Sequence, residues 1–118
     1  MVTPAPEQPR VNEVWRVWEA LPRDRQKRMT CEAVGERFGG GVKAERTAVY
    51  ITARLVAINS AALGRLFNRD VQWTLRALHD VGEQSKRDAA FAAKVAGVQD
   101  AIADRLAAAR MTTLSDSS

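Results

Sequence analysis

Apolar residues recur at helical spacing along most of the sequence, and this periodicity constrains the fold more than any other feature. The longest run lies near the carboxyl end, where six apolar residues fall three or four positions apart: Phe91, Val95, Val98, Ile102, Leu106 and Ala109. Such a stripe is typical of an α-helix with one buried face. The apolar set is rich in Ala, Val and Leu, so the sequence favours helices over strands.

Residues that start or stop helices divide the sequence into six segments. Pro22 and the glycine triplet at 39–41 end helices, whereas Asn59 and Asp70 are suited to cap the helices that follow them. The predicted helices span residues 11–21, 23–38, 43–58, 61–67, 71–81 and 85–110. We therefore predict an all-α fold, a compact bundle of five to six helices.

The same pattern predicts the domain organisation and the core faces. Residues 1–10 hold three prolines and are predicted to be a flexible lead-in, residues 11–110 a single helical domain, and residues 111–118 a disordered polar tail. Trp15 and Trp18 are expected to anchor the first helix to the core. In the helix predicted at 71–81, the expected inner face consists of Val71, Leu75, Leu78 and Gly82.

Composition restricts the cellular setting. A chain of 118 residues that is 46% hydrophobic can build one core of ordinary size. Cys31 is the single cysteine, so no internal disulfide can form and a reducing compartment is expected. No apolar run approaches the roughly 20 residues that cross a bilayer, and residues 1–9 lack the apolar segment of a secretory leader. We therefore expect a cytoplasmic protein with no membrane partner.

The residue types needed for catalysis do not cluster in the sequence. His79 is the only histidine, which excludes a histidine dyad and a multi-histidine metal site. The carboxylates four apart at 32 and 36, and at 100 and 104, are typical of solvated helix faces. The glycine triplet at 39–41 lacks the Lys-Ser/Thr of a phosphate-binding loop. We expect no enzyme, no metal, no cofactor and no small-molecule substrate.

Residues 60–79 carry the pattern that points to a function. A helix of about seven residues, a short turn and a second helix of about three turns make a helix-turn-helix. In that motif the first helix supports the second, whose amino-terminal turns enter the major groove of double-stranded DNA. Gln72, Trp73 and Arg76 are expected to face outward on the second helix. Gln pairs well with adenine and Arg with guanine, so these side chains are predicted to meet base edges.

Five further residues complete the predicted DNA-binding set. Arg65 on the supporting helix, Arg69 in the turn and Lys43 on an earlier helix are expected to hold phosphates. Asn68 suits the tight turn and Asp70 suits the cap of the second helix, and both are counted with the DNA-binding residues. The net charge of +4 and the pI near 9.8 favour a nucleic-acid partner slightly.

Residues from about 33 to 102 resemble the carboxy-terminal DNA-binding domain of DnaA, the bacterial replication initiator. Three segments carry the resemblance. Residues 33–39 end in Phe-Gly, like the family's first helix, and residues 46–51 are similar to its Arg-Gln-Ile-Ala-Met-Tyr-Leu helix. Residues 62–75 follow its Glu-Ile-Gly-Arg-x-Phe-Gly-Gly-Arg-Asp-His-Thr-Thr-Val-Leu, with one residue fewer in the turn. The resemblance implies a Trp-repressor-like helix-turn-helix fold, regulation of chromosome replication initiation or of transcription, and association with the nucleoid.

The sequence also departs from that family at the residues that contact DNA. Arg69 and Asp70 carry over by identity, but the family's base-reading His-Thr-Thr is replaced at residues 71–73. The arginine-rich loop of the family is reduced to a single lysine, Lys43. These departures motivate an alternative hypothesis, a protein-interaction module that keeps the fold and docks on replication proteins, with Trp73 as one candidate anchor.

Overall fold

The computed structural model describes the backbone of residues 7–117 and the side chains of residues 14–108. Over this part of the chain the structure consists of six α-helices without strands, so the predicted all-α bundle is confirmed. None of these helices is both long and apolar enough to cross a bilayer. The helices are α1 (Glu7–Ala20), α2 (Arg23–Phe38), α3 (Val42–Leu55), α4 (Ser60–Leu66), α5 (Val71–Arg87) and α6 (Ala89–Ser117).

Side-chain caps fix the starts of the last three helices. Asn59, Asp70 and Asp88 each accept a hydrogen bond from the backbone N–H three residues later, at N···O distances of 2.8, 2.7 and 3.1 Å. Each bond satisfies a backbone donor that has no partner within its helix. The predicted caps at Asn59 and Asp70 are confirmed, whereas the cap at Asp88 was not predicted.

Several helix boundaries differ from the predictions. α1 begins within the segment predicted as a lead-in, where Pro9 falls in the first turn and is tolerated there. α6 continues to Ser117, through most of the segment predicted as a tail. α3 ends three residues early because Val56 is extended. α5 runs past Gly82 to Arg87, because the chain breaks only at Asp88, whose side chain caps α6.

The long helix α6 supplies one wall of the core. Four residues of its predicted stripe are buried, and the prediction for this face is confirmed: Val95, Val98, Ile102 and Leu106. Phe91 is half-buried and meets Phe38 of α2 edge to face, with ring centroids 5.6 Å apart. Ala109, the last position of the stripe, lies outside the described side chains. A regular apolar stripe thus holds α6 against its neighbours.

Trp18 anchors α1 to the rest of the bundle, as predicted. Its ring is buried, and its indole Nε1 donates a hydrogen bond to the backbone oxygen of Leu55 at 3.0 Å. The buried amide of Gln26 in turn donates to the backbone oxygen of Trp18 at 2.7 Å. Trp15 packs edge to face on Trp18, with ring centroids 6.0 Å apart. These contacts attach α1 through both apolar burial and satisfied polar groups.

The predicted inner face of α5 is wrong at Val71 and Leu75, which are 42% and 51% exposed, whereas Leu78 is half-buried and packs against the core as predicted. The buried residues of this helix are Thr74, Ala77 and Val81. Thr74 can be buried because its hydroxyl donates to the backbone oxygen of Asp70 at 2.9 Å, which leaves no unpaired polar group. The helix is therefore rotated relative to the prediction, and Val71 and Leu75 lie outside.

Candidate nucleic-acid interface

Helices α4 and α5 are joined by a four-residue turn at residues 67–70 and form a helix-turn-helix in chain order. Asn68, which was predicted to suit the tight turn, has a φ of 57°, the left-handed conformation that asparagine tolerates. The backbone N–H of Arg69 donates to the oxygen of Gly64 at 2.8 Å and closes the turn onto α4. The turn thus brings the start of α5 back against the end of α4.

Gly64 is the point of closest approach between α4 and the turn. A Cβ atom at this position would lie 2.7 Å from the backbone oxygen of Arg69 and 2.9 Å from the hydroxyl oxygen of Thr74. Neither distance is compatible with a side chain, and the nearer atom belongs to the backbone. The angle at which α5 leaves the bundle therefore depends on a glycine here.

Lys27 of α2 supports the same turn from behind. Its ammonium donates to the backbone oxygen of Leu66 at 2.9 Å and lies 5.3 Å from the centroid of the Phe67 ring. A cation at the carboxyl end of a helix satisfies a free carbonyl and interacts favourably with the helix dipole. Lys27 therefore serves the packing of α4 rather than a ligand.

Arg69 is paired within the protein. Its Nε and a terminal nitrogen donate to the two carboxylate oxygens of Glu45, at 3.1 and 2.6 Å, and its guanidinium lies 4.5 Å from the centroid of the Trp73 ring. The hydrogen bond to Glu45 raises the pKa of Arg69 above its ordinary value. A phosphate would have to compete with Glu45 for this arginine, so the predicted phosphate contact is weakened by the free energy needed to break the Arg69–Glu45 pair.

Trp73 does not project outward as the helical register indicated. Its ring is half-buried, packs against core residues and lies beneath the guanidinium of Arg69. Asp70 has one carboxylate oxygen engaged in capping α5, at the backbone N–H of Trp73. Both residues therefore have evident roles in shaping the turn. Their predicted contacts with DNA stay predictions.

Gln72 and Arg76 are the predicted base-contacting residues that the structure presents to solvent. Both are exposed, and their separation of four positions puts them on one face of α5. They share a shallow surface depression with Asp70, Trp73 and Arg46. The structure therefore brings together four residues of the predicted set, and it adds a cation from α3.

Arg46 was missed by the sequence reasoning. It lies on α3, 26 positions before Gln72, and its guanidinium approaches the Asp80 carboxylate of α5 at 3.9 Å. That distance and the exposure of both groups make the ion pair weak. No local pattern in the sequence signals this position, because it reaches the site only through the packing of α3 on α5.

Lys43 and Arg65, both predicted to hold phosphates, are exposed but lie in different places. Lys43 lines a depression between the start of α3 and the junction of α5 with α6, together with Phe38 and Phe91. Arg65 lines another, with Arg23 and residues around the start of α4. The structure does not bring either residue into the depression that contains Gln72 and Arg76.

The usual metal-ligating side chains do not cluster in the described part of the chain. No three His, Cys, Asp or Glu side chains among them are placed to hold a metal ion. Burial raises the pKa of the Cys31 thiol, which disfavours the thiolate required of a nucleophile or metal ligand. The chemistry that the α4–α5 surface supports is hydrogen bonding and charge contact.

No protein-family model matches the sequence, and neither the curated proteins nor the solved structures include a significant match to it.

Proposed function

We propose that this protein is a helix-turn-helix DNA-binding protein that resembles the DNA-binding domain of DnaA and regulates chromosome replication initiation or transcription. The observation that carries the proposal is the exposed amino-terminal half of α5, where Gln72 and Arg76 lie side by side. The cap at Asp70 and the close approach at Gly64 set the direction of that helix.

The chemistry of these two side chains suits the major groove. The amide of Gln72 can donate to and accept from one adenine, and the guanidinium of Arg76 can donate twice to one guanine. An α-helix fits the roughly 12 Å width of the groove, so the first turns of α5 would meet base edges directly. In this arrangement the foremost cation for a backbone contact is Arg46, which shares the depression with Gln72 and Arg76.

Charge around α5 supports modest affinity. Glu45 pairs with Arg69, and Asp80 lies 3.9 Å from Arg46, so two of the nearby cations are partly compensated. Few phosphates would then be neutralised, so binding should be weak at physiological salt, and log K should fall with log salt at a shallow slope of about −0.9 per neutralised phosphate.

The test is fluorescence anisotropy with labelled duplexes, including the initiator's recognition sites and a random-sequence pool, at low and at physiological salt. Arg76→Ala is expected to weaken binding to the preferred duplex by about tenfold. Arg16→Ala removes the same charge from the exposed face of α1 and serves as the matched control. Equal binding by wild type and Arg76→Ala would refute the placement of α5 in the groove.

A map of the protein on the chromosome separates the two regulatory roles. Enrichment at the replication origin supports regulation of initiation, and enrichment at scattered promoters supports regulation of transcription. Absence of enrichment anywhere would contradict both.

A second candidate function is a protein-interaction module that acts on replication proteins. It is favoured by the pairing of Arg69 with Glu45 and by the exposure of Val71 and Leu75 beside it. A purified replication protein that binds wild type but not Leu75→Ala, together with no shift of any duplex at low salt, would favour this alternative over DNA binding.

A further inference from the structure

The exposed face of α5 carries two branched aliphatic side chains among its polar residues. Val71 and Leu75 are 42% and 51% exposed, and they lie four positions apart on one side of the helix. Gln72 and Arg76 form the neighbouring row with the same spacing. Each aliphatic side chain therefore lies next to a side chain that can hydrogen-bond a base.

Other exposed large apolar residues do not form such a pair within the described side chains. Val17 lies on α1 and Val42 lies at the start of α3, so these two exposed valines are on different helices. Val71 and Leu75 instead share the first two turns of the helix that follows the turn. Their placement is thus specific to the surface proposed to meet DNA.

We propose that Val71 and Leu75 read the C5-methyl groups of two thymines in the major groove. This inference rests on the proposed DNA binding and names part of the sequence that would be bound. The thymine methyl is the one apolar group that the major groove offers, and an aliphatic side chain is the natural contact for it. Adenine opposite each thymine places an acceptor and a donor within reach of the neighbouring Gln72.

The spacing of the two side chains predicts the spacing of the thymines. Residues four apart on a helix have Cβ atoms about 5–6 Å apart. Successive base pairs are separated by about 3.4 Å, so this distance corresponds to one or two base-pair steps. The preferred site should therefore contain two A·T pairs within two steps of each other.

The size of the apolar patch favours a methyl group over a protein partner. A standard protein interface buries about 800 Å² on each side, with large anchors at its centre. Two aliphatic side chains flanked by Gln72 and Arg76 offer much less apolar area than that. Two aliphatic side chains are enough to contact two methyl groups, because each methyl group needs only one aliphatic contact.

The experiment compares duplexes that differ only in the methyl group. A preferred duplex is selected from a random pool with the whole 118-residue chain and then made again with deoxyuridine in place of thymine, which keeps every base-pairing group. Anisotropy is expected to show affinity about three- to fivefold lower for each contacted methyl removed. Val71→Ala and Leu75→Ala should each bind the thymine duplex more weakly and respond less to deoxyuridine.

Matched controls keep the outcomes separate. Val17→Ala shortens an exposed valine on α1 and should retain the full response to deoxyuridine. Arg76→Ala should weaken both duplexes while preserving their ratio. Equal affinity for the two wild-type complexes, or a selected site without paired thymines, would overturn methyl reading and leave DNA binding standing. Failure to select any duplex would overturn both, and unchanged melting temperatures confirm that the variants are folded.

Discussion

The two long helices α5 and α6 are attached to the bundle in different ways. α6 presents a regular stripe of buried Val, Ile and Leu side chains, in which Val98 and Ile102 are fully enclosed. α5 presents Thr74, Ala77 and Val81 to the core and leaves Val71 and Leu75 outside. The buried residues of α6 are all branched aliphatic side chains, whereas those of α5 include a small alanine and a hydrogen-bonded threonine.

This difference indicates how each helix is used. Burial of large side chains dominates stability, so α6 is suited to hold the fold together. In α5 the packing requires less apolar area, because a glycine on α4 allows close approach and the Thr74 hydroxyl is satisfied within its own helix. The outer surface of α5 is thereby free to carry side chains chosen for a ligand.

The largest expected effect tests the contrast directly. Ile102→Ala should destabilise the protein by about 2–5 kcal/mol, because it opens a cavity in the enclosed core. Leu75→Ala removes a comparable side chain from α5 and should change the free energy of unfolding by no more than about 0.5 kcal/mol. Chemical denaturation followed by circular dichroism measures both. Similar losses for the two variants would break the comparison.

A second prediction concerns the close approach that seats α5. Gly64→Ala should destabilise the protein by about 1–3 kcal/mol, because the new methyl group would overlap the turn backbone. Gly35→Ala is the matched control: nothing lies within 4 Å of a Cβ there, in the last turn of α2. That variant should be stabilised by about 0.5–1 kcal/mol through the better helix propensity of alanine. Thermal denaturation of the pair settles whether the glycine at 64 is required.

A third prediction separates the capping role of Asp70 from any charge effect. Asp70→Ala should destabilise the protein by about 1 kcal/mol through loss of the cap on α5. Asp70→Asn keeps an oxygen that can accept the same hydrogen bond and should lose only a few tenths of a kcal/mol. Denaturation of both variants at neutral pH is sufficient. Equal losses would mean that charge, rather than capping, stabilises the start of this helix.

The smallest expected effect concerns Arg69. Glu45→Ala releases this arginine and should tighten DNA binding by about two- to fivefold, with the salt dependence of log K steeper by roughly 0.9. Glu83→Ala breaks a different exposed ion pair, with Lys86, and changes the net charge identically. Anisotropy over a salt series compares the two. An equal gain from both variants would show a general charge effect and no specific role for Arg69.

The sequence predicted most of the helices because their signals are local. The stripe of α6, the caps at Asn59 and Asp70 and the left-handed turn at Asn68 each depend on residues within a few positions of one another. Apolar periodicity predicted the inner face of α5 incorrectly at Leu75 and Thr74, because it treats every leucine as buried and every threonine as exposed. Thr74 is buried and Leu75 is exposed, because α5 turns its Thr74 side toward Gly64 of α4.

The candidate site was only partly predictable for a related reason. Gln72 and Arg76 follow from helical register, and both are exposed as expected. The pairing of Arg69 with Glu45 spans 24 positions, and Arg46 reaches the site from α3. Such contacts depend on how helices cross, which residue spacing does not encode. Sequence reasoning therefore found the exposed side chains but not the partners that restrain their neighbours.

The bracing of the turn by Lys27 and Glu45 has a consequence for the kinetics of recognition. Lys27 contacts the turn from α2 and Glu45 contacts it from α3, so the turn is bound to two separate helices of the bundle. A segment held in this way is already ordered before any partner arrives, and little conformational entropy is lost on association. The turn should therefore dock on its partner as a rigid body, without a conformational change after the first contact. Partners that do not match its shape should dissociate quickly.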